Sequence, residues 1–163
     1  MAETNKTYKV LNLAKQLELK LRDIYLLHSH TFSQDSAFWW KLAVEEGNHA
    51  SLLDTSIQFL ERGDLIEPLF DIGYATLENC VQRLNKLHEE YKVNHPTRYQ
   101  AFRTAHRLEQ SVGETHYQKI MEEPIDLIQN PQNILGIFQK LNNADKNHAE
   151  RIFSYMMEHN ITT

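Results

Sequence analysis

At 163 residues the chain has the length of one domain, with room for a sizeable core. Hydrophobic residues make up 41%, charged residues 24%, and the net charge of −5 offers no basic excess for nucleic acid. No apolar run is long enough to cross a bilayer and the Met-Ala-Glu-Thr-Asn-Lys start lacks a signal-peptide pattern, so no membrane partner and a cytoplasmic location are expected. Cys80 is the only cysteine, which excludes an intrachain disulfide, a Cys-x-x-Cys redox pair and a thiolate metal cage. Five Gly and four Pro leave long uninterrupted stretches, the mark of long helices.

In chain order, the spacing predicts a first helix over about 6–30. Ala14, Glu18, Leu21, Tyr25 and His28 recur at alternating four- and three-residue steps, widened by Leu17 and Ile24. Ser33 is read as the N-cap of a second helix. That helix carries Trp39, Leu42, Glu46, His49, Leu53 and Leu60 on one stripe and ends at Gly63. Residues 64–74 read as an irregular connection. A third helix, about 75–94, places Leu77, Val81, Leu84, Leu87 and Tyr91 on one face, with no carboxylate in the stripe.

Pro96 is read in the first turn of a fourth helix, which runs to about Glu123 and is stopped by Pro124. Its stripe is Phe102, Ala105, Glu109, Val112 or Gly113, His116 and Ile120. After Asn130-Pro131 the last helix carries Phe138, Leu141, Asp145, His148, Ile152 and Tyr155.

Four of these stripes therefore contain one carboxylate each: Glu18, Glu46, Glu109 and Asp145. Two add a histidine three residues on, His49 in Val-Glu-Glu-Gly-Asn-His-Ala and His148 in Ala-Asp-Lys-Asn-His-Ala. Residues three apart on a helix share a face, so each pair can reach one ion. Taken singly, Glu18 and Glu109 read as solvated helix acids. Together, four acids converging in an apolar interior would repel one another without a cation. Four carboxylates and two imidazoles are hard-oxygen and borderline-nitrogen ligands whose charge balances two divalent ions, iron or manganese, with zinc also admissible. The expected architecture is all-α: a ferritin-like four-helix bundle spanning 1–163, with a long crossover that carries the extra helix.

The pattern resembles the diiron domain of the rubrerythrins, in the ferritin-like superfamily, over nearly the whole chain. Glu18 with Tyr25 is similar to the family's first-helix ligand and its supporting tyrosine. Glu46 with His49 resembles the second-helix motif, Glu109 with Tyr117 the third ligand and its tyrosine, and Asp145 with His148 the last motif. The resemblance implies two iron ions, reduction of H2O2 or O2 or oxidation of ferrous iron, and a homodimer. Three features depart from the family. Asp145 stands in place of Glu, Val112 occupies the position of an extra carboxylate, and the four-cysteine rubredoxin-like domain is absent, so electrons would come from a separate donor protein.

The other readings are a degenerate bundle acting as a metal-poor binding or structural module, and an oxygenase acting on an organic substrate. Tyr25 and Tyr117 read either as supports for ligand carboxylates or as ordinary core tyrosines. His28 and His116 read as packed histidines in preference to reserve ligands, and Cys80 as a buried inert thiol. Trp39 belongs to the core stripe, whereas Trp40 points elsewhere and marks a candidate subunit interface.

Overall fold

The computed structural model describes residues 2–62, 74–112 and 147–162. Among these residues every regular element is helical: α1 (Ala2–Thr31), a 3-10 turn (Ser33–Asp35), α2 (Ser36–Glu61), α3 (Tyr74–Val93), α4 (Arg98–Val112) and a helical stretch over 147–158, here α5. No described helix is long and apolar enough to cross a membrane.

Helices α1 and α2 form an antiparallel hairpin, and α1 packs against α2 more extensively than against α3. The buried face of α1 is Val10, Leu11, Ala14, Leu17, Leu21, Ile24 and Tyr25, with Glu18 and His28 set into it. On α2 the matching face is Trp39, Leu42, Ala43, Leu53 and Ile57, again with Glu46 and His49 inside the stripe. These are the period-3.6 positions of an amphipathic helix, so burying the stripe fixes where the polar members point. Helix α3 buries Leu77, Val81, Leu84, His88 and Tyr91. His88 thus takes a place that the spacing gave to Leu87, which is only partly buried.

The second half of the core is joined to the hairpin by rings. Trp39 lies 4.4 Å from Phe102 of α4 between centroids, and Phe38 stacks on Tyr155 of α5 at 4.1 Å. A part-buried ion pair locks the same end. Arg98 at the start of α4 donates to Asp35 through Nε (2.8 Å) and Nη2 (2.7 Å), and the Tyr155 hydroxyl donates to Asp35 Oδ1 at 3.1 Å. A bidentate, charge-assisted pair of this kind is among the stronger polar contacts a protein makes.

Helix α1 begins at Ala2 where the spacing placed its start near residue 6, and two further helix starts differ from the sequence reading. Ser33 opens the 3-10 turn and α2 begins at Ser36, because the chain first turns Asp35 inward to meet Arg98. Pro96 precedes α4, and Thr97 is its cap: Thr97 Oγ1 accepts from the Gln100 amide (3.2 Å) while Gln100 Oε1 accepts from the Thr97 amide (2.9 Å). This reciprocal Thr-x-x-Gln capping box satisfies two backbone donors that would otherwise be orphaned. Helix α5 ends in a Schellman-type turn, with Asn160 at φ 49° and the Ile161 amide bonded to Met156 O at 2.9 Å. Gly63, the expected end of α2, the connection 64–73, and the expected end of α4 at Glu123 and Pro124 lie outside the described residues, as do Phe138 and Leu141.

Candidate metal centre

Of the six ligand positions expected from the sequence, five fall among the described residues, and their side chains converge. Glu18 comes from α1, Glu46 and His49 from α2, Glu109 from α4 and His148 from α5. All five are buried, the three carboxylates to within 1% of complete. They form two groups whose ligand atoms lie within 4.8 Å of one another, Glu18–Glu46–His49 and Glu46–Glu109–His148, and either could hold a metal ion. Asp145 and Tyr117 lie outside the described residues.

Glu46 belongs to both groups and faces each with a different oxygen. Its Oε2 is 3.0 Å from His49 Nδ1, and its Oε1 is 2.9 Å from His148 Nδ1. The outer carboxylates repeat the pattern: Glu18 Oε2 is 3.7 Å from His49 Nδ1 and Glu109 Oε2 is 3.7 Å from His148 Nδ1. The two imidazoles lie nearly parallel, 5.5 Å apart at 19°. One carboxylate is therefore flanked by two histidines, each with a further carboxylate behind it.

Around the second group the hydrogen-bond accounting is incomplete. Glu46 Oε1, Glu109 Oε2 and His148 Nδ1 are buried and, among the described residues, have no aligned hydrogen-bond partner. A buried polar atom left so costs free energy of about 1–3 kcal/mol, and more when it is charged. Three such atoms, with both carboxylate oxygens within 3.7 Å of the imidazole nitrogen, fit a cation, which binds carboxylate oxygen and imidazole nitrogen together.

Electrostatics give the same reading. Burial raises the Glu46 carboxyl to about 7, with the neighbouring Glu109 charge adding to the rise against the pull of the two histidines. Burial alone would lower His49, but its contacts with Glu18 and Glu46 carry it up to about 10. His148 is likewise disfavoured by burial and lifted to about 11 by Glu109 and Glu46. The shifts share one meaning. Without a metal ion the cluster retains protons, and these take the place that a bound cation would fill.

Two contacts extend beyond the ligand atoms. The Tyr25 hydroxyl donates a hydrogen bond to Glu109 Oε1, so the tyrosine of α1 reaches across to a carboxylate of α4. On the far side of His148, Nε2 is 2.9 Å from Glu45 Oε2, which also accepts from Arg151 Nη1 at 2.7 Å. A carboxylate on the outer nitrogen fixes the ring's orientation and leaves Nδ1 to face the interior. The sequence reading passed over Glu45. Its signal was the second acid in Glu-Glu-Gly-Asn-His, the residue directly before the inward-facing Glu46.

No protein-family model, curated protein or solved structure matches the chain. The centre is thus defined by its own geometry. His28 stands apart from it. Its ring packs 4.9 Å from Trp39 and 5.5 Å from Tyr91, and burial lowers it to about 3. Cys80 is half-buried, with its thiol raised by burial, and Trp40 is 55% exposed. His116 lies outside the described residues.

Proposed function

We propose that the chain is a di-metal redox protein of ferritin-like, rubrerythrin-like architecture, with two iron ions held in the buried cluster. The observation that carries this reading is Glu46, which turns one oxygen toward each of two carboxylate–histidine groups. Glu46 would bridge, Glu18 with His49 would hold one ion, and Glu109 with His148 the other. Asp145 is the remaining ligand that the sequence supplies. Iron in such a site supplies two-electron reduction of peroxide or oxygen, or is itself oxidised from the ferrous state. The protein's part is to bind and orient: Tyr25 holds Glu109, Glu45 holds His148, and the apolar stripes keep bulk water from the cluster. The bundle, with its long crossover between α2 and α4, a homodimeric assembly and a separate electron-donor protein complete the proposal.

A second reading has an observation in its favour. With His49 and His148 both lifted well above 7 by their carboxylates, the cluster can neutralise itself with protons. Such a bundle would serve as a metal-poor binding module. Anaerobic reconstitution with ferrous iron separates the two readings. We expect about two irons per chain, proton release on binding because metal and protons compete for the same atoms, and an optical change on adding peroxide or oxygen. Less than one metal per chain, with no spectral change, would leave the binding module as the function.

A further inference from the structure

We propose that the groove between α3 and α4 binds an amphipathic anion, an apolar chain that ends in a carboxylate or a phosphate; this goes beyond the metal reading above and does not depend on it. The groove has a volume of about 430 Å³, within the range of about 300–1,000 Å³ usual for small-molecule sites. Leu84 and Leu87 of α3 and Leu108 of α4 give it an apolar lining, and Arg83 and Arg107 bring one guanidinium from each helix. None of the five residues of the carboxylate–histidine cluster lines it. Leu108 and Glu109 are neighbours on α4, yet one lines the groove and the other is buried in the cluster.

The two arginines decide the class of ligand. Arg22, Arg98 and Arg151 each meet a carboxylate, on Asp23, Asp35 and Glu45 respectively. Arg83 and Arg107 line the groove and, among the described residues, pair with no acid. The one acid of α4 is Glu109, and its burial in the cluster leaves the exposed side of that helix to Arg103 and Arg107. Two cations beside an apolar lining, in a chain whose net charge is −5, are complementary to an anion from outside. A guanidinium takes carboxylate or phosphate oxygens through paired N–H donors. The Ser111 hydroxyl, in the same lining, adds a further donor.

The position of the arginines also orients the ligand. Arg83 stands one turn before Leu87 on α3, and Ser111 one turn beyond Arg107 on α4, so the head group belongs at that end. The chain then runs over the leucines toward Thr104, which accepts from the Tyr91 hydroxyl at 3.3 Å and ties the two helices together there. From Cys80 to Leu87 the lining covers two turns of α3, about 10 Å at 1.5 Å per residue, which seats an alkyl chain of medium length. Each methylene added should tighten binding by up to about fourfold until the groove is filled.

The test titrates the full-length protein in a calorimeter with decanoate and with decyl phosphate, below their micelle concentrations, beside decanol and decyltrimethylammonium. We expect one anion per chain, the tighter of the two identifying the head group, with binding that weakens as salt is added. Arg83→Gln combined with Arg107→Gln should weaken it by at least about tenfold. Arg103→Gln, at an exposed arginine of α4 outside the lining, should leave it unchanged. Cys80 is the only cysteine and lines the groove, so saturating anion should slow its alkylation by iodoacetamide. Equal binding of the alcohol or the cation, full binding in the double variant, or alkylation that ignores the anion overturns the site. A Cys80 that fails to react without ligand shows a groove already filled, and overturns it as well.

Discussion

His28 and His148 are both buried, and their environments drive them in opposite directions. His28 sits at the aromatic end of the α1–α2 hairpin, among Phe32, Trp39 and Tyr91, and is lowered to about 3. His148 sits at the carboxylate end, against Glu45, Glu46 and Glu109, and is raised to about 11. Burial disfavours the charged imidazole at both sites. The neighbours decide the outcome. The helices thus build a neutral region of rings beside a region of buried carboxylates and imidazoles that could hold a cation, and the boundary between them is the Tyr25–Glu109 hydrogen bond.

The largest effect should come from removing the carboxylate that the two metal groups share. Glu46→Ala leaves each histidine only its outer carboxylates, and neither position then keeps the full set of ligand atoms. Tight binding of both ions should be lost, by more than the roughly 10–100-fold that an outer partner is worth. Metal content after gel filtration, with calorimetric titration of the stripped protein, measures this. Two tightly held ions in that variant would remove Glu46 from the centre.

An intermediate effect is expected at Glu45, which touches no proposed ion and acts through His148. Glu45→Gln keeps the shape but weakens the anchor on Nε2, so affinity at the His148 position should fall about 10–100-fold while the His49 position holds its ion. Calorimetry should then resolve one tight and one weakened site. Equal weakening at both would mean that Glu45 supports the helices in general and not this ring.

How far the sequence revealed this depends on whether a feature is local to one helix. Glu18, Glu46 and Glu109 could be picked out because each interrupts an apolar stripe, and burial of a stripe buries every member of it. The Thr97 cap was also local, as Thr-x-x-Gln, but Pro96 next to it offered a competing reason for a helix start. Glu45 was not legible, because its value lies in His148 and Arg151, far away in the chain. The inward turn of Asp35 was hidden for the same reason, since Arg98 and Tyr155 are its partners. Trp39 was readable as core, yet that it joins Tyr25 to the rings around Tyr155 follows only from tertiary packing.

The third predicted effect belongs to the aromatic end and has a definite sign in pH. His28 has its folded-state pKa depressed from 6.5 to about 3, so it stays neutral in the native protein while the unfolded chain takes up a proton near 6.5. Its contribution to stability is therefore present above about pH 6.5 and is lost as pH falls toward 3, at up to about 1.4 kcal/mol per pH unit. His49 and His148, with raised values, run the other way: in the metal-free protein their contribution is complete below about 6.5 and is lost as pH rises toward 10 and 11. Carboxylates also shape the acid limb, so the informative quantity is the difference between wild type and His28→Leu in urea melts of metal-free protein. That difference should be small and nearly constant above pH 7, then shift in favour of the variant between about pH 6 and 4, because leucine has no proton to accept. A pH-independent difference would mean that His28 takes up its proton as readily in the folded state as in the unfolded one. The ring-lined end of the hairpin would then not be the neutral counterpart of the carboxylate end, and the contrast between the two would fail at its simpler side.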